Sequence, residues 1–370
     1  MQLHIGSKHL ATDIAVALDM TGREHLVIVT KATWSIPESG QRPRPLPPQP
    51  LVMTDEYYGA PGESPLRCSA DMARFKARCD VIFDACAHSP DGRPTRELHA
   101  GFELGPLRKL LRVLGPRQWQ STDGGRTFRL GSSSEFVRTP LHHGLAFGGT
   151  RWYQEGGERL CETNEHNPSG LGFAGARTLG QMHLQAAHQL EHVQHPVQQP
   201  GDVLPPAALS AVARNWLPRR SLAGTYDEVW QRDVFPLLPH DFDEQFYQCA
   251  PEDQQMPYPQ GGETVRLLNL LPGRPDMRFE LPNFKPKVGV LRSDTSQEAP
   301  KAHLDTLFFE TEELRFSAVW RASVPIRRSL QEFEACAVGG VDPELWAPGF
   351  SGIRSGCKGC DETELSVVLP

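Results

Sequence analysis

Three groups of residues have types and spacings that metal or acid–base chemistry uses. Cys357-Lys358-Gly359-Cys360 places two thiols at the CxxC spacing that lets both reach one tetrahedral zinc. No second CxxC or HxxxH follows it, so two further ligands must come from distant residues or another subunit. A redox role would want a strand before the motif and a helix after it, and Ser355-Gly356 signals neither. The preferred reading is an exposed dithiol in a C-terminal tail, with Cys357 and Cys360 kept as metal candidates. His188, His192 and His195 form the second group. Their spacings of four and three would set them on one helix face, with Glu191 beside them and His183 upstream. Pro196 ends that segment and glutamines surround it, so an exposed polar helix or loop is expected. The third group is Asp241, Asp243 and Glu244, with Asp253 further on, which could act as paired carboxylates or a cation site. It lacks calcium-loop spacing, and an Asp beside Pro and Phe is commonly a turn former.

No nucleophile elbow, phosphate-binding loop, HExxH helix or GxGxxG set between a strand and a helix is present. Nothing assembles a nucleophile, a base and a group to orient it. The net charge of −7 is spread along the chain without a Lys/Arg block, which disfavours nucleic acid and anionic membranes as partners. No stretch approaches the ~18 apolar residues of a membrane span. Met1-Gln2-Leu3-His4-Ile5 has no basic, apolar and small-residue signal pattern, so the expected compartment is the cytoplasm, with reduced and mostly buried cysteines.

The elements that would position these residues are short. Gly and Pro number 33 each, which favours many brief elements joined by turns. Leu26 to Trp34 and Cys79 to Ala87 read as strands, and Leu110 to Leu114 halts at Gly115-Pro116. Between Gln41 and Pro50 half the residues are proline, which makes an extended connector or an edge-hugging loop. From Pro140 to Gly180 periodicity is lost, yet Trp152, Tyr153, Leu171 and Phe173 can pin an ordered, packed loop. A short helix is expected from Pro206 through Ala213, with Pro206 in its first turn. Thr225 and Glu228 have capping-box spacing for a turn of helix carrying Val229 and Trp230. Met277, Phe279 and Leu281 alternate as a half-buried strand, and 307–320 reads as a β-hairpin.

Gly224-Thr225-Tyr226-Asp227-Glu228-Val229-Trp230, then Pro236-Leu237-Leu238-Pro239-His240-Asp241-Phe242-Asp243, then Ala250-Pro251-Glu252-Asp253-Gln254-Gln255 form a distinctive series. It resembles a bacterial domain-of-unknown-function family encoded beside type VI secretion effectors. Further landmarks follow the family order: Lys31-Ala32-Thr33-Trp34, Ala70-Asp71 with Lys76 and Asp80-Val81, Ala146-Phe147-Gly148-Gly149, Asn167-Pro168, Gly172-Phe173, Trp216 and Trp320-Arg321-Ala322. The matches span about residues 25 to 325. One departure is Pro206-Ala207-Ala208-Leu209-Ser210-Ala211, where relatives carry Pro-Ala-Gly-Phe-Gly-Pro.

The resemblance implies an adaptor or chaperone that binds a secreted effector, or its PAAR-type tip domain, and helps mount it on the valine-glycine-repeat spike. It brings no catalytic residue and no cofactor. The residues expected to form the motif core or to meet a partner are Tyr226, Asp227, Trp230, Asp241, Phe242, Asp243, Asp253 and Gln254. Tyr226, Trp230, Phe242, Phe246 and Tyr247 suit either core packing, the preferred role, or a partner groove. The expected fold is mainly β: packed or strongly twisted antiparallel sheets with short helices and long ordered loops. One accessory domain would occupy residues 1–340, with β-rich lobes joined near 140–220, and a tail would follow at 341–370. A metal-dependent enzyme using the His or Asp clusters, or a structural part of the secretion apparatus, are the alternatives.

Overall fold

The computed structural model describes residues 1–340. Its largest sheet runs in the order Ala11–Leu18, Glu24–Ser35, Arg315–Pro325, His303–Glu310, Cys79–Asp84 and Gln255–Met256. Neighbours are antiparallel except His303–Glu310 with Cys79–Asp84. Within the proline-rich connector, Pro45–Leu46 pairs with Thr33 and Trp34, just past the stretch covered by Ala11–Leu18. A second, antiparallel sheet runs Leu190–His192, Leu107–Leu114, Glu97–Leu104, Thr264–Leu271 and Arg274–Glu280. A smaller sheet joins Gln2–Ile5, Phe333–Val338, Val288–Arg292 and Gln297–Glu298. The mainly β expectation holds.

The two large sheets pack face to face. Leu26, Ile28, Ala32, Trp34, Phe83 and Phe316 project inward from the first and meet Phe102, Leu111, Val265, Met277 and Phe279 of the second. Rings bridge the gap: Phe83 lies 4.6 Å from Phe102, and Phe279 lies 5.6 Å from Phe316. Such contacts add about 0.5–1.5 kcal/mol each beyond the area they bury.

The large sheet is also buried on its outer face, which explains why Leu26-Val27-Ile28-Val29 is continuously apolar and does not alternate. Ile82 and Phe308 point outward into a second cluster with Leu66, Ala211, Val212, Trp216 and Cys249. Two long, nearly strandless stretches, about 50–76 and 205–254, cover this face.

The anticipated helix at Pro206–Ala213 does not form. Leu209 is buried, and its carbonyl accepts from the Phe83 amide at 3.1 Å while its amide donates to Leu141 at 2.9 Å. Sheet-side hydrogen bonds and burial override a helix-favouring run of alanines. The glycine-rich middle, expected as a packed loop pinned partly by Trp152, instead includes a hairpin of Thr150–Glu155 and Glu158–Thr163 with Trp152 exposed, and its packing rests on other contacts. Asn167 Nδ2 donates to the carbonyls of His143 (2.8 Å) and Phe147 (3.1 Å), and a Cβ on Gly148 would lie 2.3 Å from the Asn167 carbonyl oxygen. Only glycine permits that crossing.

Candidate partner-binding site

Beneath the covering stretches lies a row of buried ion pairs. Lys31 meets Asp71 at 2.5 Å, Lys76 meets Asp80 at 2.8 Å, and Arg321 meets Asp305 at 2.7 Å, all nearly inaccessible. The first two pairs tie the sheet to the layer above it, while the third lies within the sheet. Asp71 accepts from the Val52 amide (2.7 Å), and Arg321 Nη1 donates to the carbonyls of Asp71 and Ala73. Asp80 is the most heavily used. Its carboxylate accepts from Lys76 Nζ, Gln248 Nε2 (2.7 Å), the Cys249 amide (2.9 Å) and the Ala250 amide (3.2 Å). Burial alone would lower the Lys76 amine, but Asp80 overrides it and holds the ammonium above its ordinary value. Burial pushes the nearby Cys249 thiol up to about 12, and the protonated thiol joins the same polar group, donating to Asp80 (3.3 Å) and accepting from Lys76 Nζ (3.7 Å).

From these anchors the segment 216–256 rises to the surface and returns. Arg219 enters the buried layer and donates through Nη1 to the Val212 carbonyl (2.6 Å) and through Nε to that of Phe246 (3.1 Å). Gly224 adopts φ +80°, and a Cβ there would lie 2.8 Å from Pro239 Cβ. Thr225 donates through its amide (2.9 Å) and hydroxyl (2.7 Å) to Asp241, which holds that carboxyl below the usual range. Asp227 Oδ1 accepts from the Trp230 amide at 2.8 Å and caps the helix Glu228–Asp233. The cap is therefore Asp227, not Thr225, because Asp241 has already engaged the threonine hydroxyl. Asp243 accepts from the Gln245 amide, and Phe242 is buried against Phe246 and Tyr247, each 5.7 Å away. At the far end Gln254 is fully buried: it accepts from Lys109 Nζ (2.8 Å) and donates to the carbonyls of Val81 and Leu209. Asp253 closes the group with a 2.8 Å pair to Lys109.

The expected motif residues thus divide. Asp227, Asp241, Phe242, Asp243, Asp253 and Gln254 hold the segment in place. Tyr226 is displayed beside a half-buried Trp230, together with Val229, Phe235 and Leu237, which sequence reasoning did not single out as exposed. Tyr226 is 54% exposed and Phe235 65% exposed. Their rings stand 4.7 Å and 5.6 Å from the half-buried Trp230 between them. The Trp230 indole N–H is engaged by the Leu237 carbonyl (2.9 Å), so that ring offers no free donor, and the exposed charges Asp227, Glu228, Arg232 and Asp233 flank the aromatic surface. Leu237 rests over Gly22 at the tip of the hairpin joining Ala11–Leu18 to Glu24–Ser35.

The candidate metal and acid–base groups do not converge. His188 is buried, not solvated: its Nε2 lies 2.8 Å from Glu191 and 2.9 Å from Arg117. Burial by itself raises Glu191, but His188 and Arg117 bring it down to about 2. His192 belongs to a strand, so the helical face proposed for His188, His192 and His195 does not exist. His183 Nδ1 accepts from the Ser121 amide. Glu244 pairs with Arg74. Among the described residues no three His, Cys, Asp or Glu side chains gather as metal ligands. Cys357 and Cys360 lie outside the described residues. Among those described, no helix is long and apolar enough to cross a membrane.

Except for Asp305, the ion-pair anchors entered the sequence reading only as family landmarks, yet their role had a signal of its own. Lys31 and Asp80 are charges inside otherwise apolar strands, and a buried charge demands a partner. Asp305, a charge inside the strand His303–Glu310, carries the same mark, whereas Gln248 and Thr306, which complete the Asp80–Lys76 group, are far off in sequence and carry none. A family model described as an uncharacterized protein conserved in bacteria (DUF2169) matches residues 21–321. No curated protein and no solved structure matches the chain.

Proposed function

The chain belongs to that uncharacterized bacterial family, and we propose that it works as a non-catalytic adaptor whose Tyr226–Leu237 ledge grips a partner protein. The observation that carries this reading is the contrast within one segment. Six of its motif residues are held by internal bonds or packing, while Tyr226, Val229, Phe235 and Leu237 are exposed around the half-buried Trp230 on a braced support. Rigid aromatic anchors with satisfied polar ends bind at low entropic cost. The resemblance of the Gly224 to Gln255 series to proteins encoded beside type VI secretion effectors supports a particular partner. That partner is a secreted effector or its PAAR-type tip domain, held for mounting on the valine-glycine-repeat spike.

The test is capture of the effector encoded beside this gene by purified wild-type protein and by Tyr226→Ala/Phe235→Ser. The double variant should lose binding at least ~30-fold, from roughly 2 kcal/mol for a central aromatic anchor, with unchanged thermal stability. Undiminished capture would remove the ledge as the contact surface. Normal effector export in cells lacking the protein would remove the adaptor role itself.

A further inference from the structure

We propose that the ledge receives a cation, an arginine or lysine side chain of the partner protein, against the faces of Tyr226, Trp230 and Phe235; the inference rests on the ledge being the contact surface. The three rings form a corner and not a plane. Tyr226 meets Trp230 at 69° and Phe235 meets it at 88°, so neither neighbour continues the indole surface. A flat apolar surface fits such a corner poorly. A compact cation is drawn to ring faces, which carry the negative side of the quadrupole. Val229 and Leu237, exposed beside the rings, suit the aliphatic stem that leads to the charge.

Charge selects the same occupant. Between Tyr226 and Leu237 the charged residues are Asp227, Glu228, Arg232 and Asp233. Arg232 follows Glu228 at the spacing of a helical ion pair, yet its guanidinium forks onto Asp233 at 2.8 and 2.7 Å. Asp227 and Glu228 are thus exposed with no cation paired to either among the described residues. A neutral apolar partner would strip water from those carboxylates and return nothing, and an acidic one would repel them. A cation answers both the rings and the carboxylates. Arginine does so best, because its planar fork can lie on a ring and still bond a carboxylate. The chain uses this pairing on itself, where the Arg159 guanidinium covers the exposed Trp152 ring at 4.4 Å. Among the described residues no Lys or Arg lies over a ledge ring.

The probes are the peptide Ala-Arg-Ala-Arg-Ala and its citrulline counterpart, which keeps the shape and loses the charge. Each is titrated into the full chain carrying isotope-labelled tryptophan, and the Trp230 indole N–H resonance is followed by NMR. The arginine peptide should shift that resonance at concentrations roughly tenfold lower than the citrulline peptide. Tyr226→Leu/Phe235→Leu keeps apolar bulk and net charge but removes two ring faces. Asp227→Asn/Glu228→Gln removes the charges, while asparagine still caps the helix. Each double variant should weaken the arginine peptide about fivefold or more, with an unchanged melting temperature. No shift at Trp230, an equal response to both peptides, or full affinity in the leucine variant would overturn the proposal. Capture of the neighbouring effector is scored apart. Its loss in Tyr226→Ala/Phe235→Ser, together with equal peptide responses, would keep the ledge and sink the cation. Undiminished capture with a discriminating Trp230 response would keep the cation and remove that effector as the ledge's partner.

Discussion

Asp80 and Lys76 form an ion pair whose two halves should not be equivalent in energy. Replacing Asp80 with Asn leaves the Lys76 ammonium, 3% exposed, without an opposite charge. Breaking a buried pair in this way costs about 3–5 kcal/mol. Lys76→Met is different, because the Asp80 carboxylate keeps three nitrogen donors: Gln248 Nε2 and the amides of Cys249 and Ala250. Its expected cost is about 1–3 kcal/mol, that of losing hydrogen bonds to a group still solvated by others. The double variant Lys76→Met/Asp80→Asn leaves no charge at either of these two positions and should resemble Lys76→Met more than Asp80→Asn. Urea unfolding gives all three values, with far-UV circular dichroism and tryptophan fluorescence as paired probes, since Trp216 lies in the adjoining cluster. The reasoning is refuted if Asp80→Asn costs under ~1 kcal/mol, or if the single variants are equally destabilised and their effects simply add.

The same physics extends to pH and backbone. His143 is fully buried, its Nδ1 2.8 Å from Ser210 Oγ, and burial brings it down to about 3. The unfolded chain takes up that proton below about pH 6.5, so stability falls as pH drops from there toward 3, by up to ~1.4 kcal/mol per unit. Urea midpoints measured from pH 7 to 4.5 should show a shallower acid slope for His143→Gln; an identical slope would mean the imidazole titrates in the folded state. Gly148→Ala, at φ +150° with the Asn167 carbonyl 2.3 Å from the added carbon, should destabilise by more than the ~1 kcal/mol of an ordinary Gly replacement. Melting temperature checks it, and a change under 1 °C would contradict the crowding.

Most of the fold was legible because apolar runs and turn residues mark strands locally. The 277–281 alternation and the 307–320 hairpin appear as Arg274–Glu280 and as His303–Glu310 with Arg315–Pro325. Errors came where tertiary contacts decide. The alanines at 207–213 prefer a helix in isolation, yet they lie extended between the large sheet and Leu141. His188 looked solvated among glutamines, but Arg117, 71 residues earlier, draws it inside with Glu191. Exposure was the least legible property: nothing in the order Tyr226, Trp230, Phe242 says that the first faces solvent and the last does not.

Why the covering segment is bolted down by charge, when apolar contact alone would hold it, follows from its composition. Between 205 and 254 regular structure is confined to one short helix and a few 3₁₀ turns, so few ladder bonds fix its register. Ile82 and Phe308 give it adhesion, but apolar contact is non-directional and tolerates sliding. A carboxylate that must accept from residues 248, 249 and 250 at once admits one placement, and Gln254 fixes the next turn through two carbonyls. On this argument the pairs serve placement more than stability. Lys76→Met/Asp80→Asn should then speed hydrogen exchange across 224–250 far more than in the Cys79–Asp84 strand beneath. Uniform acceleration in both would show that the pair contributes only to global stability, and that the ledge is positioned by the apolar contacts alone.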